Sequence, residues 1–421
     1  MKQLLDQLAT EYEFLVNNRT KLENDCTKLK DYIDSQITQI QSLNNDFEKL
    51  RQEFLKRGGT QLMKQVQDPA PTEAEQHAEE EQTTQDWELI TLAAPENILK
   101  PYIISLIAEI LDISVICSTS FSPNGTFIAI GSDKTIRVYN IEKDTFQFQE
   151  TIETNETDPS ISHIRSISWI GNDKIIVCHG GDSHIRVYDI YEKKLCNDFT
   201  TGEGGVFQVL VSNNNKYISA ITGDGSLVIF SMDDFTEIAR MKRTAVESDE
   251  EVIAVSMAIS LDDKIIAVGY SDYHIVLWDV ETHQQLLDNK CHSDGIQAIK
   301  FIPNSNRLAT ASLDFTIKIW EMNKTDDGKI DFQMWKSIDG HENFVLTLAV
   351  DAKGEWLLSG SKDMSARLID LKTGEMIYNI KGHANSIISV DFNKAGNLFC
   401  TGSGDKSVKI WSFTPEETGE I

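Results

Sequence analysis

The chain has 421 residues, with 39 Lys and Arg against 66 Asp and Glu, for a formal charge of −27. That balance excludes a basic face for direct nucleic-acid or anionic-membrane binding and favours basic partners. Six cysteines, none in a C-x-x-C pair, are too sparse for a disulfide scaffold, and Met1 runs into a charged pattern with no signal peptide, so an intracellular chain with reduced thiols is expected.

Residues 1–57 contain no Gly and no Pro. Leu5, Leu8, Tyr12, Leu15, Arg19, Leu22, Cys26, Leu29, Ile33, Gln36, Ile40, Leu43, Phe47, Leu50 and Phe54 alternate at spacings of three and four. This is the a/d seam of a coiled coil, in which Leu8, Leu15, Leu22, Leu29, Leu43 and Leu50 carry the oligomerisation face. As one helix it would reach about 85 Å at 1.5 Å per residue, too long to bury its stripe against itself. Arg19 and Gln36 would set register, and Ile37 widens the stripe towards more than two helices.

Gly58-Gly59 stops the helix. Residues 58–86 read as an acidic, disordered linker: Asp68 to Asp86 holds seven acidic residues and no Lys or Arg, with Pro69 and Pro71 inside. Beyond it, the apolar stretch Ile103–Ile116 contains Glu109 and Asp112 and is too short for a membrane span of about 20 apolar residues.

From residue 87 to 421 the chain repeats. One Asp per repeat aligns Asp133, Asp182, Asp224, Asp272, Asp314, Asp363 and Asp405, at gaps of 49, 42, 48, 42, 49 and 42 residues. Each sits in a turn between two strands that alternate apolar and polar residues, as in SLDFTIKIW and SGDKSVKIW. A period near 40–45 with four strands per unit predicts an all-β, seven-bladed propeller. Relative to the Asp, a His recurs at −22, a Ser or Thr at −4 and a Trp at +6. Two sets are complete, His292, Thr310, Asp314, Trp320 and His383, Thr401, Asp405, Trp411; a third has His341, Ser359 and Asp363 with Ile369 for the Trp. A His, an Asp and a hydroxyl invite a catalytic reading, but a group that recurs with the repeat is a structural tetrad satisfying buried polar atoms. No Gly-rich phosphate loop and no metal-ligand cluster stands out, so no catalytic residue, metal or other cofactor is expected.

Gly340-His341, Gly382-His383 and Trp278-Asp279 are the GH and WD dipeptides of WD repeats. With GHENFVLTLAV, GHANSIISVDF, FCTGSGDKSVKIW, the strand DWELITL and the N-terminal coil, the chain resembles the Tup family of WD-repeat transcriptional corepressors, similar in role to Groucho and TLE. The resemblance implies a nuclear corepressor scaffold that catalyses nothing. Its coil would assemble a homotetramer and present a surface to a tetratricopeptide-repeat corepressor, and its propeller would capture peptides of DNA-bound repressors. The family's histone-tail contacts belong to a long linker that here shrinks to about thirty residues. Two other classes share the outline: a G-protein β-like signalling subunit and a cytoplasmic WD-repeat scaffold.

The repeat frame also predicts where partners dock. Positions −19, −17 and −1 to the Asp should line one propeller face: His163, Arg165, Phe207, Gln297, Phe344, Leu346, Lys362, Ser386 and Ile388, with Cys117 as the equivalent in the first repeat. Aromatic, aliphatic and basic groups there would suit a peptide, although they could equally plug the central channel. The ring is expected to close when the strand Trp87–Leu92 joins the sheet of Ser407–Phe413.

Overall fold

The structure, a computed structural model, describes residues 87–92, 102–142, 145–153, 163–172, 174–179, 182–202, 204–243, 252–325 and 329–415. The coil of residues 1–57 and the linker of residues 58–86 lie outside the described residues. Seven antiparallel sheets follow one another as blades; blades 1 to 5 each have four strands in sequence order from the first, inner strand outward, while blades 6 and 7 each also take a strand from before the first blade. Blades 1 to 6 begin at Ile116–Phe121, Ile164–Ile170, Val206–Val211, Ala254–Ile259, Ile296–Ile302 and Val345–Val350. Blade 7 begins at Ile387–Phe392. The second strands are the most buried: every residue of Phe127–Ser132, Tyr217–Thr222 and Trp356–Ser361 is inaccessible, because each is flanked by strands in its own sheet and covered on both faces by the adjacent blades.

The closing strand is not the one expected. Tyr102–Leu111 completes blade 7, pairing antiparallel with Ser407–Pro415 from Tyr102 opposite Pro415 to Leu111 opposite Ser407. Glu88–Thr91 instead adds a fifth strand to blade 6, against Glu375–Lys381. The reason is visible in the side chains. Tyr102 stacks on Phe413 at 4.3 Å, meets Trp356 edge-on at 5.1 Å, and donates its amide N–H to Tyr378 Oη at 3.0 Å. Lys409 Nζ reaches Glu109 Oε1 at 2.6 Å. The stretch whose length excluded a membrane span is thus the strand that joins the two ends of the array.

Neighbouring blades lock by a small residue receiving a large one. A Cβ at Gly131, Gly269, Gly360 or Gly402 would lie 2.8, 2.8, 2.6 or 2.7 Å from the Cγ2 of Ile164, Ile296, Ile387 or Ile116, each on the first strand of the next blade. Gly402 and Ile116 make this contact between blades 7 and 1, at the closure itself. Polar side chains of the inner strands also stitch blade junctions. Ser389 Oγ accepts from Thr119 N at 2.9 Å, Ser118 Oγ from Ile167 N at 3.1 Å, and Gln208 Oε1 from Met257 N at 2.7 Å.

Gly402→Val should therefore overpack the closing junction and lower stability by roughly 1–3 kcal/mol. Thermal melting checks this, and the double variant with Ile116→Ala should cost less than the two single changes summed, because the added atoms occupy the space vacated.

Candidate functional site

In blades 5 and 7 the four tetrad side chains form a continuous chain. His292 Nδ1 lies 2.9 Å from Asp314 Oδ2 and its Nε2 lies 2.8 Å from Thr310 Oγ1, which accepts from Trp320 Nε1 at 2.9 Å. His383, Asp405, Thr401 and Trp411 repeat this at 2.8, 2.7 and 3.0 Å. His341 joins Asp363 and Ser359 at 2.8 Å each. Burial alone would raise the Asp314, Asp363 and Asp405 carboxyls. Hydrogen bonds from the histidines and from Thr316, Ser365 and Ser407 win, and hold all three well below the usual carboxylate range. Burial pushes the His292 and His341 rings down, against the pull of their Asp partners, so both rings stay neutral.

Blades 2 and 4 lack the dipeptide and use a different cluster, which sequence reasoning missed. Arg243 Nη1 bonds Asp272 Oδ2 at 2.5 Å and its Nε bonds Asp288 Oδ2 at 2.5 Å, while His274 Nδ1 lies 2.8 Å from Asp288 Oδ1. In blade 2, Arg186 Nη1 bonds Asp182 Oδ2 at 2.5 Å, and His184 Nδ1 lies 2.6 Å from Asp198 Oδ1. The shared signal is a His two residues and an Asp sixteen residues after the turn Asp. In blade 1, Asp112 takes Arg137 and a hydrogen bond from Ser132 Oγ at 2.8 Å. In blade 4, Val268 replaces the hydroxyl, and the buried Trp278 indole N–H lies beside the Tyr270 hydroxyl instead.

The predicted face residues fall into two groups. Cys117, Arg165, Phe207, Gln297, Leu346 and Ile388 converge on a central channel of about 260 Å³. Val255, which sequence reasoning omitted, completes the set at one residue per blade. Arg165 lies over the Phe207 ring at 4.4 Å. Phe344 and Lys362 sit together outside that ring of seven, with Lys362 Nζ 5.0 Å from the Phe344 centroid. His163 is exposed and lies 3.6 Å from Asp133 of the preceding blade, and Ser386 is half-buried, its carbonyl accepting from Gly404 N at 2.9 Å.

Two further apolar groups belong to this rim. Phe315 and Met364 follow the turn Asp in blades 5 and 6 with φ of 72° and 68°, where blade 3 has Gly225 at 80°. Phe315 is 42% and Met364 46% exposed, and Phe315 packs 5.6 Å from Phe344. Bulky side chains in the left-handed region cost energy, and such costs concentrate at functional positions. Their sequence signal was a large apolar residue where a tight turn favours Gly.

Deeper in the channel wall, Asp391 accepts from Phe121 N at 2.8 Å and from its neighbour Phe392 N at 3.0 Å. Burial pushes its carboxyl up to about 6 despite Lys300 and these amides. No group of three or more His, Cys, Asp or Glu poised to hold a metal occurs among the described residues. None of their helices is long and apolar enough to cross a membrane.

This architecture is a seven-bladed WD-repeat propeller, a fold that typically scaffolds rather than catalyses. Residues 111–140, 283–321, 332–370 and 374–412 match the family described as WD domain, G-beta repeat. The last three matches contain the His tetrads or parts of them, and the inner strands of blades 2, 3 and 4, which lack the tetrads, fall outside the matches. The chain is 29% identical over 129 residues to mouse pre-mRNA-processing factor 19, covering 31% of this chain and 24% of the relative. It is 34% identical over 108 residues to Kluyveromyces lactis "Probable cytosolic iron-sulfur protein assembly protein 1", covering 24% and 32%. It is 28% identical over 162 residues to the Arabidopsis thaliana transcriptional corepressor LEUNIG_HOMOLOG, covering 35% and 19%. The chain thus spans between a fifth and a third of the length of these relatives, whose names describe different roles.

The channel carboxylate gives a pH test. The folded-state value of Asp391 lies above its unfolded value of about 4. Its contribution therefore favours folding at low pH and is lost as pH rises through about 6. Asp391→Asn should melt a few degrees above wild type at pH 7.5, with the gap narrowing as the pH is lowered to 5. A differential scan at both pH values checks it.

Proposed function

We propose that this chain is a transcriptional corepressor scaffold. Its propeller captures short peptides of DNA-bound repressors at the channel mouth, and its residues 1–57 assemble four copies and offer a surface to a tetratricopeptide-repeat corepressor. DNA is reached through partners, in keeping with the charge of −27, and the site of action is the nucleus. Four tethered propellers would raise avidity for clustered repressors without new contacts.

The observation that carries peptide capture is the convergence of seven side chains, one per blade, with Phe344, Lys362, Phe315 and Met364 beside them. A cation over an aromatic ring next to exposed apolar groups suits a peptide that pairs a carboxylate with a hydrophobic anchor. The corepressor half of the reading rests on the sequence resemblance and on the stretch shared with the Arabidopsis corepressor. Histone-tail contacts carried by the short linker are a lesser part of it.

Leu346→Ser, Lys362→Glu and His163→Ala should each weaken capture of repressor peptides from nuclear extract about tenfold, which is 1.4 kcal/mol. Melting temperature should stay near wild type. Lys329→Glu, in the turn before the outer strand Ile330–Ile338 of blade 5, should leave capture intact. Quantitative pull-down followed by titration with the captured peptides checks this; equal loss in the Lys329 control would mean that charge in general, and not this face, carries recognition.

A further inference from the structure

The outer strand of a blade leaves one edge of its sheet unpaired, and blade 6 shows how this fold fills such an edge. Glu88–Thr91 pairs with the outer strand Glu375–Lys381, placing Glu88 opposite Lys381 and Thr91 opposite Tyr378. Trp87, one residue earlier, sets its ring 5.1 Å from Trp411 of blade 7. Three elements hold the added strand: main-chain pairing, an acid facing a lysine, and an aromatic ring against the Trp of the next blade.

Blades 3 and 4 reproduce the receiving half of this arrangement. Lys242 stands eighteen residues after Asp224, as Lys381 does after Asp363; Trp278 stands six after Asp272, as Trp411 does after Asp405. The outer strand of blade 3, Glu237–Lys242, ends its sheet, and among the described residues no strand pairs with its outer edge. Between it and the outer hairpin of blade 4 lies an open groove of about 640 Å³ walled by Ile238, Met241, Lys242, Trp278 and Gln285. Ile238 is 52% exposed. The Lys242 side chain is 64% exposed, with Asp224 Oδ2 at 3.6 Å. Gln285, the cross-strand partner of Trp278, buries an Oε1 that accepts no hydrogen bond. Where Gly382 makes room for Trp87 in blade 6, blade 3 has Arg243, whose guanidinium is held inside blade 4 by Asp272 and Asp288.

We propose that this groove is a strand-addition site for an extended peptide of another protein, in the order aromatic, acidic, then apolar residues. Its main chain would extend the blade 3 sheet, its acid would face Lys242, and its aromatic ring would lie against Trp278. Exposed sheet edges are templates for such pairing, with the main chain giving affinity and the side-chain pockets giving choice. The site lies on the outer wall of the propeller and is separate from the channel mouth, so it would allow a second partner to bind at the same time.

The probe is a fluorescein-labelled peptide of sequence QDWELITL, the order found at residues 85–92, titrated into the full chain by fluorescence anisotropy. Saturable binding that Lys242→Glu and Ile238→Arg each weaken at least fivefold, and that Lys381→Glu leaves unchanged, is the expected result. Both blade 3 side chains are exposed, so the fold should tolerate the changes. No binding, or binding unaffected by both blade 3 variants, would overturn the proposal. So would loss confined to Lys381→Glu, which would mean that the peptide merely exchanges with the strand already on blade 6.

Discussion

A ring of blades holds its shape only if the last sheet is completed by residues from the other end of the array. Here that constraint is met by Tyr102–Leu111 against Ser407–Pro415. The join combines main-chain pairing, the Lys409–Glu109 ion pair and an aromatic cluster of Tyr102, Trp356, Tyr378 and Phe413. Closing a loop of this length costs entropy that only contacts made together can offset. Everything inward depends on it. Fixed blades bring Ile116 onto Gly402, hold Asp391 against Phe121 N, and place one side chain per blade around the channel.

The blades are not held alike. Blades 5, 6 and 7 rely on buried histidines bonded to ionised aspartates, whereas blades 2 and 4 rely on arginines clamped between two aspartates. The tetrads keep the turn Asp satisfied by hydrogen bonds from side chains of its own blade. In each arginine cluster one guanidinium pairs with two acids, but a buried ion pair gains little net energy after desolvation. The apolar rim around Phe315, Phe344 and Met364 sits on the tetrad blades, and the Asp before each left-handed residue is fixed by several hydrogen bonds.

Periodicity made the propeller legible, since one Asp and two alternating strands recur in every repeat. The tetrads were legible for the same reason: their members keep fixed offsets within one blade. What escaped were contacts between blades. The glycine–isoleucine steps and the polar stitches join residues 27 to 49 positions apart in the chain, or from its opposite ends, and no local pattern marks them. The closing strand was misplaced because Trp87–Leu92 and Tyr102–Leu111 both alternate. Only the aromatic surroundings of Tyr102 decide which of them enters blade 7. Among the site residues, Arg165, Phe207 and Leu346 followed from the repeat frame, while Val255 was passed over because an aliphatic residue there resembles ordinary core. The mixed character of the ring, with walls that both plug a channel and face its mouth, could be read from neither composition nor spacing.

The most direct test of the account is a covalent lock across the closing strand. Ser105 and Ser412 are register partners, and Ser412 Oγ donates to Ser105 O at 3.3 Å. In the variant Ser105→Cys with Ser412→Cys, oxidation should form an intramolecular disulfide and raise the melting temperature of the propeller by several degrees over the reduced form, with one cooperative transition. Failure to form the bond, or a blade 7 that melts apart from the rest with the same midpoint in both redox states, would contradict closure by residues 102–111.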